Sequence, residues 1–444
     1  MDPRRLAWSA LKALEETPKH LETILAQKLA RHKNAAPRDR ALAFNLVYEV
    51  LRHRLYLDHL LSSFCRKPLA ELDAPVLNLL RLSAAELVLL RTPDYAAVHA
   101  AVDLARKAGV ARAAGFINAA LRALARGWQE VKLPDEASDP VNHLAVKHSH
   151  PAWLVEELYA RWGFAELKDW LGANQKRPAA ALRVNTLKTN KQVLRALLAP
   201  VAGTSEDHFL SPETLLLPEV KGPLSELPGF KEGLWQAQDP AASAVSRLLG
   251  VRPGLRVLDL CAGAGGKSGH LAALLENKGE LVAVEPSPGR VRALKENLIR
   301  LGVTCARVLA QDGTRLPADL GQFDRVLVDA PCSGLGTLGR RPDLRWRRSP
   351  EDVSRLAGLQ RDLMAAAERL LAPGGAMLYV TCTVTLAENE ETVRGLLAQT
   401  PGLRLEWDLR AAPEAAASIG EDGFFRTLPH RHGCDAFFAA RLVK

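Results

Sequence analysis

Two of the six cysteines in this 444-residue chain stand in company that suits covalent chemistry. Cys332 follows the apolar run RVLVDA within FDRVLVDAPCSG, and Cys382 ends the run MLYVTC within GGAMLYVTCT. Both runs have the composition of buried strands in a parallel sheet. An open α/β sheet binds its ligands at the carboxyl ends of its strands. Two thiols delivered to that edge supply a thiolate nucleophile and a second group for proton transfer. A free cysteine is more often just a small buried hydrophobe. Pro331, Ser333 and Gly334 around one thiol, and Thr381 and Thr383 around the other, argue against that reading here. Asp329, in the same run as Cys332, adds an acid to the group.

A glycine loop, DLCAGAGGK, follows the strand RVLDL and precedes the helix KSGHLAALLE. Such a loop lets a ligand approach the backbone, and the helix start offers free N–H groups. The GKS at its end lacks the leading glycine of a P-loop, because Cys261 stands in that position. Gly263, Gly265 and Gly266 suit a dinucleotide-type turn instead, and Glu285 ends the next strand, where an acid accepts bonds from a ribose diol. Asp312 ends the strand after that, where it can receive an adenine amino group. These features indicate an adenosine ribose without saying which cofactor carries it.

The elements that must position these groups read in three blocks. Residues 1–128 are helical throughout, with Leu42, Leu46, Val50, Leu57 and Leu61 at helical spacing and recurrent arginines. Residues 129–150, with prolines, acids and three histidines, read as a linker that lacks metal-ligand spacing. Residues 151–235 read as a small α/β module. From 236 to 444, five strand–helix units predict a doubly wound parallel sheet, with LRLEWDL and AFFAARLVK as late strands. After the fourth strand, GRRPDLRWRR sets Arg340, Arg341, Arg345, Arg347 and Arg348 around Trp346, a composition suited to phosphate contacts and base stacking. The net charge of +9 fits a polyanionic partner. The charged N-terminus is not a secretory signal, no apolar run is long enough to span a bilayer, and the cysteines show no zinc-type pairing, so a reduced cytoplasmic protein without a metal is expected.

Two resemblances sharpen these readings. DRALAFNLVYEVLRHRLYLDHLL, AVHAAVDLARKAG and GFINAALRAL resemble the NusB-like helical domain, an RNA-binding fold, with His99 where asparagine is usual. LDLCAGAGGKSGHLA, VAVEPSPGRVRALKENLIRLG, FDRVLVDAPCSGLGTLGRRPDLRW, LQRDLM, GGAMLYVTCT and GCDAFFAARL resemble successive motifs of the Nol1/Nop2/Sun RNA cytosine-5 methyltransferases. Carbon 5 of cytosine is a poor nucleophile, and its methylation requires a thiolate to add at carbon 6 and a second group to assist release. The resemblance implies that Cys382 attacks, Cys332 assists release, Asp329 contacts the base and Lys267 lies near donor and base. It implies S-adenosylmethionine as cofactor, held by Cys261, Ala262, Gly263, Ala264, Gly265, Gly266, Lys267, Glu285, Arg290, Asp312 and Asp329. LRVNTLK resembles the family's RNA-contacting module, which implies that Arg183 and Asn185 touch RNA along with Arg340, Arg341, Arg345 and Trp346. CAGAGGK departs from the usual CAAPGGK, Glu285 from aspartate, and Ala436 from glycine.

The expected architecture is therefore an all-α NusB-like bundle, a small α/β RNA-binding module and a Rossmann-like class I methyltransferase domain. The whole chain resembles the branch of the family that acts on 16S ribosomal RNA, and a monomer is expected. DNA cytosine-5 methyltransferases attack with the proline-cysteine motif, and the second, TC-type cysteine favours the RNA class. Transfer RNA as substrate, or a non-catalytic RNA-binding assembly factor, are the alternatives.

Overall fold

The computed structural model describes residues 1–32, 34–220 and 222–444. The chain divides into two compact units: one comprises Met1–Gln175 with Arg341–Arg347, the other Lys176–Arg340 with Arg348–Lys444.

The first unit is helical: α1 (Pro3–Glu16), α2 (Leu21–Ala30), α3 (Pro37–Ser62), α4 (Ala74–Val88), α5 (Asp94–Lys107), α6 (Ala114–Gly127), α7 (Pro140–Lys147) and α8 (Ala152–Ala173). Helix α4 is buried on every face from Asn78 to Val88, as expected for the central helix of a bundle. Its charged residues and Asn78 are paired, as burial demands. Arg81 donates to both Asp58 oxygens at 2.7 Å, Asn78 donates to Glu15 at 2.8 Å, and Glu86 accepts from Arg4 at 2.6 Å. The expected linker at 129–150 contains α7 instead. Asp139 caps that helix and Pro140 occupies its first turn, while Leu144, Ala145 and Val146 are buried. The prolines and histidines masked this short apolar stretch.

The second unit begins with an antiparallel sheet of β1 (Ala180–Val184), β2 (Glu206–His208), β3 (Ser211–Leu217) and β4 (Trp235–Ala237) in the order β2-β3-β1-β4, with α9 (Lys191–Ala202) packed on it. The larger sheet alternates with helices along the chain: α10 (Pro240–Leu248), β5 (Arg256–Asp259), α11 (Gly266–Leu274), β6 (Glu280–Val284), α12 (Pro288–Leu301), β7 (Ala306–Leu309), β8 (Phe323–Asp329), α13 (Pro350–Leu370), β9 (Leu371–Thr381), α14 (Glu390–Gln399), β10 (Arg404–Leu405), β11 (Phe425–Arg426), α15 (Pro429–His432) and β12 (Phe438–Val443). Its strand order is β10-β12-β9-β8-β5-β6-β7, with β11 paired to β12. Strands β5 to β9 run parallel, and β12 lies antiparallel against β9. The five expected strands are present, and all but β7, which leads into a loop as expected, are followed by a helix. LRLEWDL contributes only the two-residue β10. From β5 the chain moves outward through β6 and β7, then returns to β8 on the other side of β5. The order thus reverses between β5 and β8, and such a switch point opens a crevice at the strands' carboxyl ends.

Candidate active site

Four acids line that edge, one from each of four adjacent strands: Asp329 ends β8, Asp259 ends β5, Glu285 follows β6 and Asp312 follows β7. All four act on the Cys261 thiol, which burial and then their negative charges push well above its ordinary pKa. Asp259 is 1% exposed. Its Oδ2 accepts from Ser268 Oγ at 2.7 Å, and its Oδ1 is buried without a hydrogen-bond partner. Burial foremost, with the nearby Asp329 charge adding to it, pushes the Asp259 carboxyl up to about 7. Glu285, also buried, accepts from the Ser287 N–H at 2.9 Å, and Asp312 accepts from the Thr314 N–H and hydroxyl. An acidic row with one unsatisfied buried carboxyl oxygen fits a ligand that carries positive charge and hydroxyl donors.

The glycine loop closes over the start of α11. Gly265 takes φ +86°, and a Cβ there would lie 2.6 Å from Leu294 Cδ1, so the sharp turn into the helix demands glycine. Gly263 also takes a positive φ, Ala262 N–H donates to the Val284 carbonyl, and the Ala264 carbonyl accepts from Asn297 at 3.1 Å. Gly266 opens α11 with clear space where a Cβ would stand. Arg290 lies exposed in the first turn of α12.

The two thiols meet at the ends of β8 and β9, with Cys332 Sγ 3.4 Å from Cys382 Sγ and 3.4 Å from the Cys382 N–H. Lys267 Nζ donates to Asp329 Oδ2 at 2.7 Å and lies 5.3 Å from the Phe437 ring centroid. Burial disfavours the Lys267 ammonium, but the Asp329 charge and hydrogen bond, with the Cys382 thiolate, outweigh it and raise its pKa. Cys332 is pushed well above the ordinary thiol value, first by its hydrogen bond to Cys382, then by burial, then by the charges of Cys382 and Glu388. Burial and the neighbouring sulfur thus favour the protonated form of Cys332. Gly336 locks the arrangement, since its N–H donates to the Cys382 carbonyl and a Cβ on it would lie 2.2 Å from the Ala436 carbonyl oxygen.

The expected RNA contacts fare differently. Arg183 and Asn185 are 1% and 2% exposed. Arg183 donates to Gln238 and the Gly266 carbonyl, and Asn185 donates to the Gly233 and Leu301 carbonyls. Both hold the small sheet's surroundings together, and neither presents a donor to a surface ligand. Arg345 is equally buried within the helical unit, where it binds the carbonyls of Arg52, Ser149 and Asn174 and the Gln175 side chain. Trp346 donates to the Leu51 carbonyl at 2.7 Å, with the Arg54 guanidinium 5.4 Å from its ring centroid. Arg340 pairs with Asp239 and Asp435, and Arg341 bonds His20. Five guanidinium donors suit a buried hub for several carbonyls, and that use absorbed much of the basic segment.

Two groups escaped the sequence reading. Asp259 carried a usable signal, because it ends a strand just as Glu285 follows one. Glu388 carried none: it reads as one of several acids opening a helix, yet α14 begins only at Glu390 and Glu388 is fully buried.

A parallel-centred sheet with a glycine loop at its switch point, an acidic strand-end row and a thiol pair beside a lysine is the arrangement of an α/β methyltransferase domain. Residues 246–443 match the model of the 16S rRNA methyltransferase RsmB/F family, residues 1–126 that of the NusB family, and residues 150–221 that of the RsmF/B-like ferredoxin-like domain. The chain is 33% identical to a probable ribosomal RNA small subunit methyltransferase B of Bacillus subtilis, over 99% of this chain and 98% of that one. It is 36% identical to the ribosomal RNA small subunit methyltransferase B of Xylella fastidiosa, over 99% of each. A solved methyltransferase homologue from Pyrococcus horikoshii, 26% identical, superposes with a TM-score of 0.61 over 69% of this chain and 99% of its own. The chain belongs to the RsmB/F methyltransferase family.

Proposed function

We propose that this protein transfers a methyl group from S-adenosylmethionine to carbon 5 of a cytosine in 16S ribosomal RNA, through a covalent bond between Cys382 and the base. The observation that carries the reading is the thiol pair, 3.4 Å apart, beside the Lys267–Asp329 ion pair. When bound, the cofactor supplies an electrophilic methyl group. Glu285 would take its ribose diol, Asp312 its adenine edge, and Asp259 its positive charge. The Cys382 thiolate adds to carbon 6 of the cytosine, which makes carbon 5 nucleophilic. Asp329 and Lys267 lie where they can bind the base edge and offset charge developing on the ring.

Bonding neutralises Cys382 and removes the foremost cause of the raised Cys332 pKa. Cys332 then loses its proton to solvent and, as thiolate, takes the proton from carbon 5. The double bond re-forms as Cys382 leaves as thiolate, which frees the base and returns Cys332 to its protonated form. The names of the full-length relatives favour ribosomal over transfer RNA. The test is to incubate the purified chain with 16S ribosomal RNA and labelled donor, and to map 5-methylcytosine by bisulfite sequencing. One methylated cytosine is expected; methyl transfer to another atom or base would refute the reading.

Asp259 makes cofactor binding pH-dependent. A carboxyl raised to about 7 is protonated below that pH, and its proton must leave before a cation binds beside it. Affinity for the cofactor should fall by up to about tenfold per pH unit below 7 and level off above it. The free protein has the opposite linkage. With its folded pKa above the unfolded one, Asp259 contributes stability at low pH that is lost as pH rises towards and through about 7. Titration calorimetry between pH 5.5 and 8.5 checks the binding limb, and Asp259→Asn should flatten it. An unchanged slope in that variant would assign the dependence elsewhere.

A further inference from the structure

We propose that Glu388 is a positioning residue that holds the two cysteine loops in register, so that a buried carboxylate sets the distance between the thiols. Its oxygens receive donors from three segments around the pair. Oε1 accepts from the Ser333 N–H at 2.7 Å and Gln360 Nε2 at 3.1 Å. Oε2 accepts from the hydroxyls of Ser333 at 2.5 Å, Thr385 at 2.9 Å and Thr383 at 3.3 Å. Ser333 follows Cys332 and Thr383 follows Cys382, so one carboxylate joins the residue after each thiol. The Ser333 and Thr383 hydroxyls also lie 2.6 Å apart. Gln360 on α13 reaches the Pro331 carbonyl at 2.9 Å, which ties the other flank of Cys332 to the same centre. The Glu388 main chain is fixed in turn by Tyr379, whose hydroxyl donates to the Glu388 carbonyl at 2.5 Å. The neighbouring Asn389 accepts from the Thr381 hydroxyl and donates to the Thr383 carbonyl, bracketing Cys382 from both sides.

The chemistry explains why a carboxylate stands here. Ser333 N–H and Gln360 Nε2 are fixed donors and need an acceptor at Oε1. The three hydroxyls at Oε2 can rotate. Glutamine at 388 keeps the first acceptor and can donate to the rotated hydroxyls, whereas alanine leaves five donors without their acceptor in a sealed site. Glu388 touches neither sulfur, so it acts through the loops. Its catalytic consequence rests on the proposed two-thiol mechanism, but its positioning role is measurable without RNA.

The thiols themselves are the ruler. In a glutathione buffer, glutathione disulfide takes two electrons from Cys332 and Cys382, leaving one protein disulfide and two reduced glutathiones. The equilibrium gives their effective concentration. Peptide mass mapping of the Cys332–Cys382 link keeps the other cysteines out of the measurement. We expect that value to fall at least tenfold in Glu388→Ala and to lie between wild type and alanine in Glu388→Gln. Cofactor affinity should hold within about twofold in both, and methyl transfer should fall in kcat more than in KM. Should alanine fail to fold, the glutamine variant decides alone, with a fall of about threefold or more expected. Wild-type effective concentration in a folded Glu388→Ala, or in Glu388→Gln where alanine does not fold, would overturn the proposal. Loss of thiol pairing in variants of a protein that methylates no RNA would leave the positioning role standing and refute the methyltransferase reading instead.

Discussion

Cys382→Ala should abolish methyl transfer, with a rate below about 10⁻⁴ of wild type, because no other group on this edge can add to carbon 6. The residual must be this small if the reading is right. Activation of carbon 5 is wholly covalent, and positioning by the Lys267–Asp329 pair cannot replace a bond. Cys332 is within 3.4 Å of the missing sulfur but cannot substitute. In the proposed mechanism it serves carbon 5, where the proton leaves, and not carbon 6, where the bond to the protein forms. The substitution should leave the fold alone, since Cys382 is only half-buried and the contacts that fix its loop run through its backbone and through Thr381 and Thr383. Cofactor affinity by calorimetry is therefore the control. Wild-type binding with no transfer confirms the nucleophile; transfer above about one per cent of wild type would assign it elsewhere.

What could be foreseen at this site follows from which constraints are local. A cysteine at the end of an apolar run, inside turn-forming company, announces a strand-end thiol, because strand direction and turn chemistry are written within a few residues. The glycine loop and the acids after successive strands are legible for the same reason. Glu388 is not, because its role exists only where three separate segments, around Ser333, Gln360 and Thr383, converge on one point. The basic segment erred in the other direction. A run of arginines around a tryptophan has the composition of a nucleic-acid surface, but composition does not say which side chains face water. Arg345 satisfies three main-chain carbonyls and an amide in the helical unit, work that lysine could not do with a single nitrogen. Arg183 and Asn185 mislead in the same way: each sits in a strand-like run and caps carbonyls distant in the chain. Helix α7 was hidden because its eight residues are flanked by signals for loops, and its stability comes from packing rather than propensity.

Cys332→Ala should trap the protein on its RNA. With Cys382 intact, addition to carbon 6 and methyl transfer proceed as before, but the proton on carbon 5 then has no acceptor beside it. Elimination requires that proton to leave, so the methylated base stays bonded to Cys382. General-base assistance of this kind contributes about 10²–10⁴-fold, which converts a fleeting intermediate into one that survives denaturation. Neighbouring groups cannot supply the base: Asp329 is committed to Lys267 at 2.7 Å, and the Ser333 and Thr383 hydroxyls are committed to Glu388. A protein–RNA band on a denaturing gel is expected, carrying label from the donor's methyl group and absent from the Cys332→Ala/Cys382→Ala double variant. The label separates the two possible blocks. A band without label would mean that Cys332 is needed before methyl transfer, and free turnover without a band would remove it from the release step altogether.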